Sequence, residues 1–140
     1  MERLSKFYFE FWNQFCPAYT ENNAYKMITD PQRPGHFILQ AAEFPYLTYS
    51  VVRPAFGEQT ITSVNIYDKS NSFAELRKIG AAIEKGIPEG GIVFDFGEIG
   101  QLQIERSNPF IQSRSLPENE TKDNIKSDIA SVIIRSFLTN

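Results

Sequence analysis

A nucleophile that works with a general base needs a Ser, Cys or Thr within reach of a His or Lys. This chain has one cysteine, Cys16, and one histidine, His36. Cys16 precedes Pro17 at the end of an apolar segment and reads as a buried structural thiol. A Cys16–His36 pair formed in space is the alternative. No Gly-x-Ser-x-Gly, Ser-x-x-Lys or His-Glu-x-x-His pattern occurs. Asp95-Phe96-Gly97 spells the magnesium-binding tripeptide of protein kinases, but its phosphate-loop and catalytic-loop partners are missing, so it reads as strand residues before a turn glycine. Gly90-Gly91 and Gly97-x-x-Gly100 flank strands instead of opening a helix, which excludes a phosphate loop.

Metal chemistry would have to rest on carboxylates. Glu118, Glu120 and Asp123 are close in sequence, yet they lack the alternating Asp/Asn and central glycine of a calcium loop and read as a solvated acidic loop. Asn119-Glu120-Thr121 is a glycosylation sequon by spelling only. A single cysteine rules out a disulfide framework and a multi-cysteine zinc site. Tyr46, Tyr49 or Tyr67 could stack on single-stranded bases, a use that goes with a basic groove. Here the basic residues are scattered, the net charge is −3 and the pI is about 5.2. The Pro31-x-x-Pro34 pair is too short a match to mean an SH3 ligand. These residues assign no catalytic, cofactor-binding or metal-ligating role, and a non-enzymatic protein without a cofactor is expected.

A chain of 140 residues with 41% hydrophobic and 22% charged side chains suits one globular domain, 1–140. No run of about 18 apolar residues is available to cross a membrane. Met1-Glu2-Arg3-Leu4 lacks the layout of a signal peptide, so a soluble intracellular protein is expected. The compositional lean is aromatic: 12 Phe, 6 Tyr and 1 Trp.

Helical spacing of Leu4, Phe7, Tyr8, Phe11 and Phe15 predicts an amphipathic helix over 2–15, stopped by Pro17. Phe9 and Trp12 fall off the centre of that stripe, which means either a wide core face or a contact with a partner. Residues 20–44 read as a variable loop region around the turn chemistry of Asp30 to Gly35, with 36–39 either a short strand or packed loop. Alternation predicts hairpin strands within 45–68, joined by a loop of five or six residues, with a bulge near Thr62–Ser63 where the apolar positions change face. Ser72-Phe73-Ala74-Glu75 spells a capping box that opens a helix at 73–85, and Gly86 follows as a left-handed stop. A hairpin over 92–106 turns at Gly97 to Gly100, and a polar loop covers 112–124. The last segment, 125–138, reads as a buried strand, with a helix as the alternative. Hairpins outnumber crossover helices, which predicts an α+β fold: a mainly antiparallel β-sheet with two principal helices packed on it.

Several segments, taken in order, resemble the tail terminator (tail completion) proteins of tailed bacteriophages and prophages. They are Ala18-Tyr19-Thr20-Glu21-Asn22-Asn23, Phe44-Pro45-Tyr46-Leu47-Thr48-Tyr49-Ser50, Phe56-Gly57-Glu58, the helix from Ser72 to Ile83, Gly90-Gly91-Ile92, the stretch from Ile104 to Gln112, and Ser136-Phe137-Leu138-Thr139. Residues 24–43 depart from the pattern, which suits a system-specific contact. The resemblance implies a virion protein assembled in the host cytoplasm. It would form a ring, commonly a hexamer, that caps the head-proximal end of the tail tube and offers the surface for head–tail joining. Its partners would be other copies of itself, the tail tube protein, the head–tail connector protein and, in a contractile tail, the sheath. DNA would pass through the lumen without sequence-specific binding. Aromatic anchors suit such head-to-tail interfaces, which makes Phe9 and Trp12 candidate contacts, with Asn108 and Phe110 as a second pair. On that reading Trp12→Ala weakens oligomerisation more than folding. The alternatives are a head-completion or stopper protein of the connector, a monomeric adaptor or chaperone, and a small ligand-binding protein or enzyme.

Overall fold

A computed structural model of the chain describes residues 2–21, 24–69, 72–114 and 125–139. The first helix, α1 (Glu2–Asn13), leads into three short strands, β1 (Ala18–Thr20), β2 (Tyr25–Thr29) and β3 (Phe37–Ala41). Next come β4 (Tyr46–Tyr49), β5 (Gln59–Lys69), helix α2 (Ala74–Gly86) and β6 (Ile92–Asp95). A single 3-10 turn, Gly97–Ile99, joins β6 to the long β7 (Gln101–Arg114), and β8 (Ile125–Ser136) follows. Six strands form one sheet in the order β1-β4-β5-β8-β7-β6, antiparallel except for the β1–β4 pair, while β2 and β3 make a separate two-stranded ribbon. The fold is α+β, a mainly antiparallel sheet with two helices.

Alternation decides which strand residues meet the helices. Val64 and Ile66 of β5, Leu102 and Ile104 of β7, and Ala130, Val132 and Ile134 of β8 are all buried on the helix-facing side. From α1 come Leu4, Tyr8, Phe11 and Trp12, and from α2 come Leu76, Ile79 and Ile83. The buried stripe of α1 is therefore wide, and Trp12, 1% exposed, belongs to it. The Tyr8 hydroxyl stays satisfied inside the core by donating to the Val52 carbonyl at 2.7 Å. Phe7 and Phe11 reach across to the β6 hairpin: Phe7 meets Phe94 and Phe96 edge-on, with ring centroids 4.7 and 5.4 Å apart.

Several local expectations change. Residues 20–44, expected as a variable loop region, contain the β2–β3 ribbon, and of the two readings of 36–39 the short strand is the one found, as β3. The β4–β5 connection runs from 50 to 58, longer than the expected five or six residues. β5 pairs with β8 without a break from Gln59–Arg135 to Lys69–Ile125, so there is no bulge at Thr62–Ser63. The apolar positions change face there because Ile61, 63% exposed, lies on the side away from the helices, opposite Ile133. The irregularity falls in β7 instead, between Arg106 and Ile111, where Ser107 to Phe110 are accommodated against two steps of β8. β7 then continues to Arg114, so it takes in residues expected to be loop. β8 is a strand, which removes the helical alternative for 125–138. Ser72 accepts a hydrogen bond from the Ala74 amide at 3.4 Å, one residue earlier than the box spacing requires. Gly86 is the last residue of α2 and is not among the positive-φ glycines.

Candidate assembly surface

Of the four residues proposed for contacts, the structure separates one from the rest. Trp12 is core: it is 1% exposed and its ring meets Phe11 edge-on at 4.9 Å, which leaves almost no ring surface for a partner. Its assignment as an interface residue is corrected on that ground. Phe9 is 46% exposed on the same helix, because it falls outside the 3.6-residue stripe that Leu4, Tyr8 and Phe11 share. Asn108 is exposed at the β7 irregularity. Phe110 is half-buried under Arg106, whose guanidinium carbon lies 4.8 Å from the ring centroid. Arg106 itself caps α2: Nε donates to the Ile87 carbonyl at 2.6 Å and Nη2 to the Glu84 carbonyl at 2.8 Å. That satisfies C-terminal carbonyls that the helix leaves open and places a cation at its negative end.

Among the described residues, the longest run of consecutive exposed large apolar side chains lies outside those four candidates. Every residue from 31 to 39 is exposed, and β3 shows Phe37, Ile38 and Leu39 to solvent in succession, at 63%, 43% and 67%. Neighbouring residues of a strand point to opposite faces, so neither face of β3 is covered at this point. The turn that joins the ribbon is self-contained: Asp30 N donates to the His36 carbonyl at 3.0 Å, Asp30 Oδ1 accepts from Gln32 N at 2.9 Å, and Gly35 takes φ +82. Among the described residues, Phe56, Ile61 and Val93 are the other exposed large apolar side chains besides Phe9. Phe56 borders a cleft of about 640 Å³ with Arg53, Pro54, Ala55 and Leu138. Within it Arg53 Nη2 donates to the Leu138 carbonyl at 2.9 Å.

The residues weighed for chemistry end up apart. Cys16 is buried, and its thiol is pushed up to about 12, first by burial and then by the nearby Asp68. His36 is exposed in the ribbon turn. No thiol–imidazole pair forms among the described residues. Tyr49 is in the core and its phenol is raised by burial, whereas Tyr46 and Tyr67 meet in a tilted ring contact at 5.2 Å on the outer face, extended edge-on by Tyr19. The three tyrosines do not form one platform. Asp95 Oδ1 accepts from Gly97 N at 2.8 Å, the turn role its sequence suggested. Glu118, Glu120 and Asp123 lie outside the described residues. No group of three or more metal-ligating side chains forms among the described residues. No described helix is long and apolar enough to cross a membrane. Two carboxylate oxygens, Asp68 Oδ2 and Asp128 Oδ1, are buried without a hydrogen-bond partner, an arrangement that costs stability.

Comparison with known proteins returned no matching family model, no matching curated protein and no matching solved structure.

Proposed function

We propose that this chain is a structural subunit of a phage or prophage tail, a terminator whose copies close into a ring on the head-proximal end of the tail tube. The observation that carries the reading is the β2–β3 ribbon, a two-stranded sheet of its own with Phe37, Ile38 and Leu39 exposed on both faces. Isolated two-stranded ribbons have little stability in water, and contiguous exposed apolar residues mark protein contacts. The ribbon falls within residues 24–43, where the chain departs from the terminator pattern, so it suits a contact particular to this system. A ring of commonly six copies would present one surface to the tube protein and the opposite one to the head–tail connector, with the sheath as a further neighbour in a contractile tail. DNA would run through its lumen, and a chain with net charge −3 and scattered cations offers little non-specific grip to slow it.

The test is to mix the purified protein with tail tubes and to image the mixture by negative stain. Rings seated at one end of the tubes are expected. Protein that neither forms rings nor binds tube ends would overturn the reading.

A further inference from the structure

We infer that β3 of one copy adds as a strand to the open edge of β6 in a second copy, which joins subunits head to tail. The inference rests on the ring reading and gives it a specific contact. It starts from where the backbone groups point. The hydrogen bonds Asp30 N to His36 O and Ala42 N to Ala24 O fix the even-numbered residues of β3 as those bonded to β2. Hydrogen-bonded and non-bonded pairs alternate in an antiparallel ladder, so the N–H and C=O of Phe37, Leu39 and Ala41 point outward from the ribbon. The same reasoning applies to β6. Phe96 N donates to Gly100 O, so Phe94 and Ile92 bond to β7, and the amides and carbonyls of Val93 and Asp95 face outward. β6 is the terminal strand of the six-stranded sheet.

Open edges are usually guarded by Lys, Pro or a bulge. Phe37–Ala41 carries none of these, and Phe37, Ile38 and Leu39 are exposed along it. The two edges also fit in register. Antiparallel pairing of Leu39 with Val93 sets Phe37 opposite Asp95 and Ala41 opposite Gly91. Leu39 and Val93, 67% and 57% exposed, then lie side by side and cover each other. Arg33, just before β3, falls towards Asp95 and Glu98 at the end of β6, so the charged flanks are complementary. A parallel arrangement would instead bring Glu43 against Asp95 and Glu98. Because donor and acceptor edges are different elements, the contact is heterologous, the kind that closes rings when the rotation allows.

The pairing is tested by disulfide trapping. Opposed residues of a hydrogen-bonded antiparallel pair have Cα atoms about 5.5 Å apart, within disulfide range. Both side chains are exposed, so Leu39→Cys and Val93→Cys should fold as the parent does, and buried Cys16 should not compete. Oxidising a mixture of the two variants is expected to give a cross-linked dimer that neither variant gives alone. The double variant is expected to give a ladder of higher species. Lack of the mixed disulfide would overturn the pairing, as would equal self-linking of Leu39→Cys through a β3–β3 contact. Microscopy of the same samples separates the two readings. Rings without the mixed disulfide remove this contact and leave the ring, while a mixed disulfide in protein that ignores tube ends leaves the contact and removes the tail role.

Discussion

The ring of Phe15 occupies the space that a side chain at Gly86 would need: a Cβ there would lie 2.6 Å from both Cε1 and Cζ. The end of α2 can thus come against Phe15, two residues beyond α1, and Phe15 is held in turn by edge-on contact with Phe11 at 5.5 Å. Gly86→Ala should force the ring aside and cost about 1–3 kcal/mol, the range typical of overpacking. In urea denaturation, Gly86→Ala combined with Phe15→Ala should cost clearly less than the two single changes added together, because the clash is gone in the double variant.

Trp12→Ala should remove a ring that is 1% exposed and leave a cavity worth about 3–5 kcal/mol, enough to unfold a large part of the population on its own. Phe9→Ser, on the exposed side of the same helix, should change stability by no more than about 0.5 kcal/mol. Thermal melts read beside light scattering check the pair. A Trp12 variant that melts like the parent but assembles less well would restore the contact role the core position denies it.

How far these relationships could be read from residue types varies with the physics behind each. The stripe of α1 was legible because Leu4, Tyr8 and Phe11 repeat with the helical period, although periodicity could not say whether Trp12 widened the stripe or left it. Gly86 was misread for a clear reason: glycine after a helix signals a left-handed cap, but the same absence of Cβ also permits close packing, which depends on where Phe15 ends up in space. β3 shows no alternation in the sequence because Phe37, Ile38 and Leu39 are exposed on both of its faces, so residue types alone leave a short strand and a packed loop equally open for 36–39. Its one readable signal was the turn chemistry from Asp30 to Gly35 between two apolar runs. In β7, Asn108 and Pro109 hid the strand's continuation, since the register with β8 absorbs the extra residues.

Arg106→Ala should lose both hydrogen bonds to the Ile87 and Glu84 carbonyls and uncover the Phe110 ring. Bonds from a charged donor contribute about 1.5–3 kcal/mol each, so a total loss of that order is expected for the coupled pair. Arg106→Lys keeps the cation at the helix C-terminus but lacks the planar fork that reaches two carbonyls, and should recover only part of the loss. Denaturant midpoints give the order: parent, then Lys, then Ala.

Cys16 links the core to alkaline stability. Its folded thiol is raised from 9.0 to about 12 by burial and by Asp68, so between those values the unfolded chain releases a proton that the folded one keeps. The unfolded state then binds fewer protons, and stability falls as pH rises. The contribution is fully present below about pH 9 and is lost progressively as pH climbs towards 12. Tyr8, also raised by burial, slopes in the same direction, so Cys16→Ala should flatten the decline without abolishing it. The matching kinetic prediction is that a thiol reagent at pH 8 modifies Cys16 only at the rate at which the protein opens, because the thiolate is the reactive form. Urea midpoints taken from pH 8 to 10.5 for the parent and Cys16→Ala test the linkage. Parallel curves for the two proteins would show that Cys16 is not the group responsible.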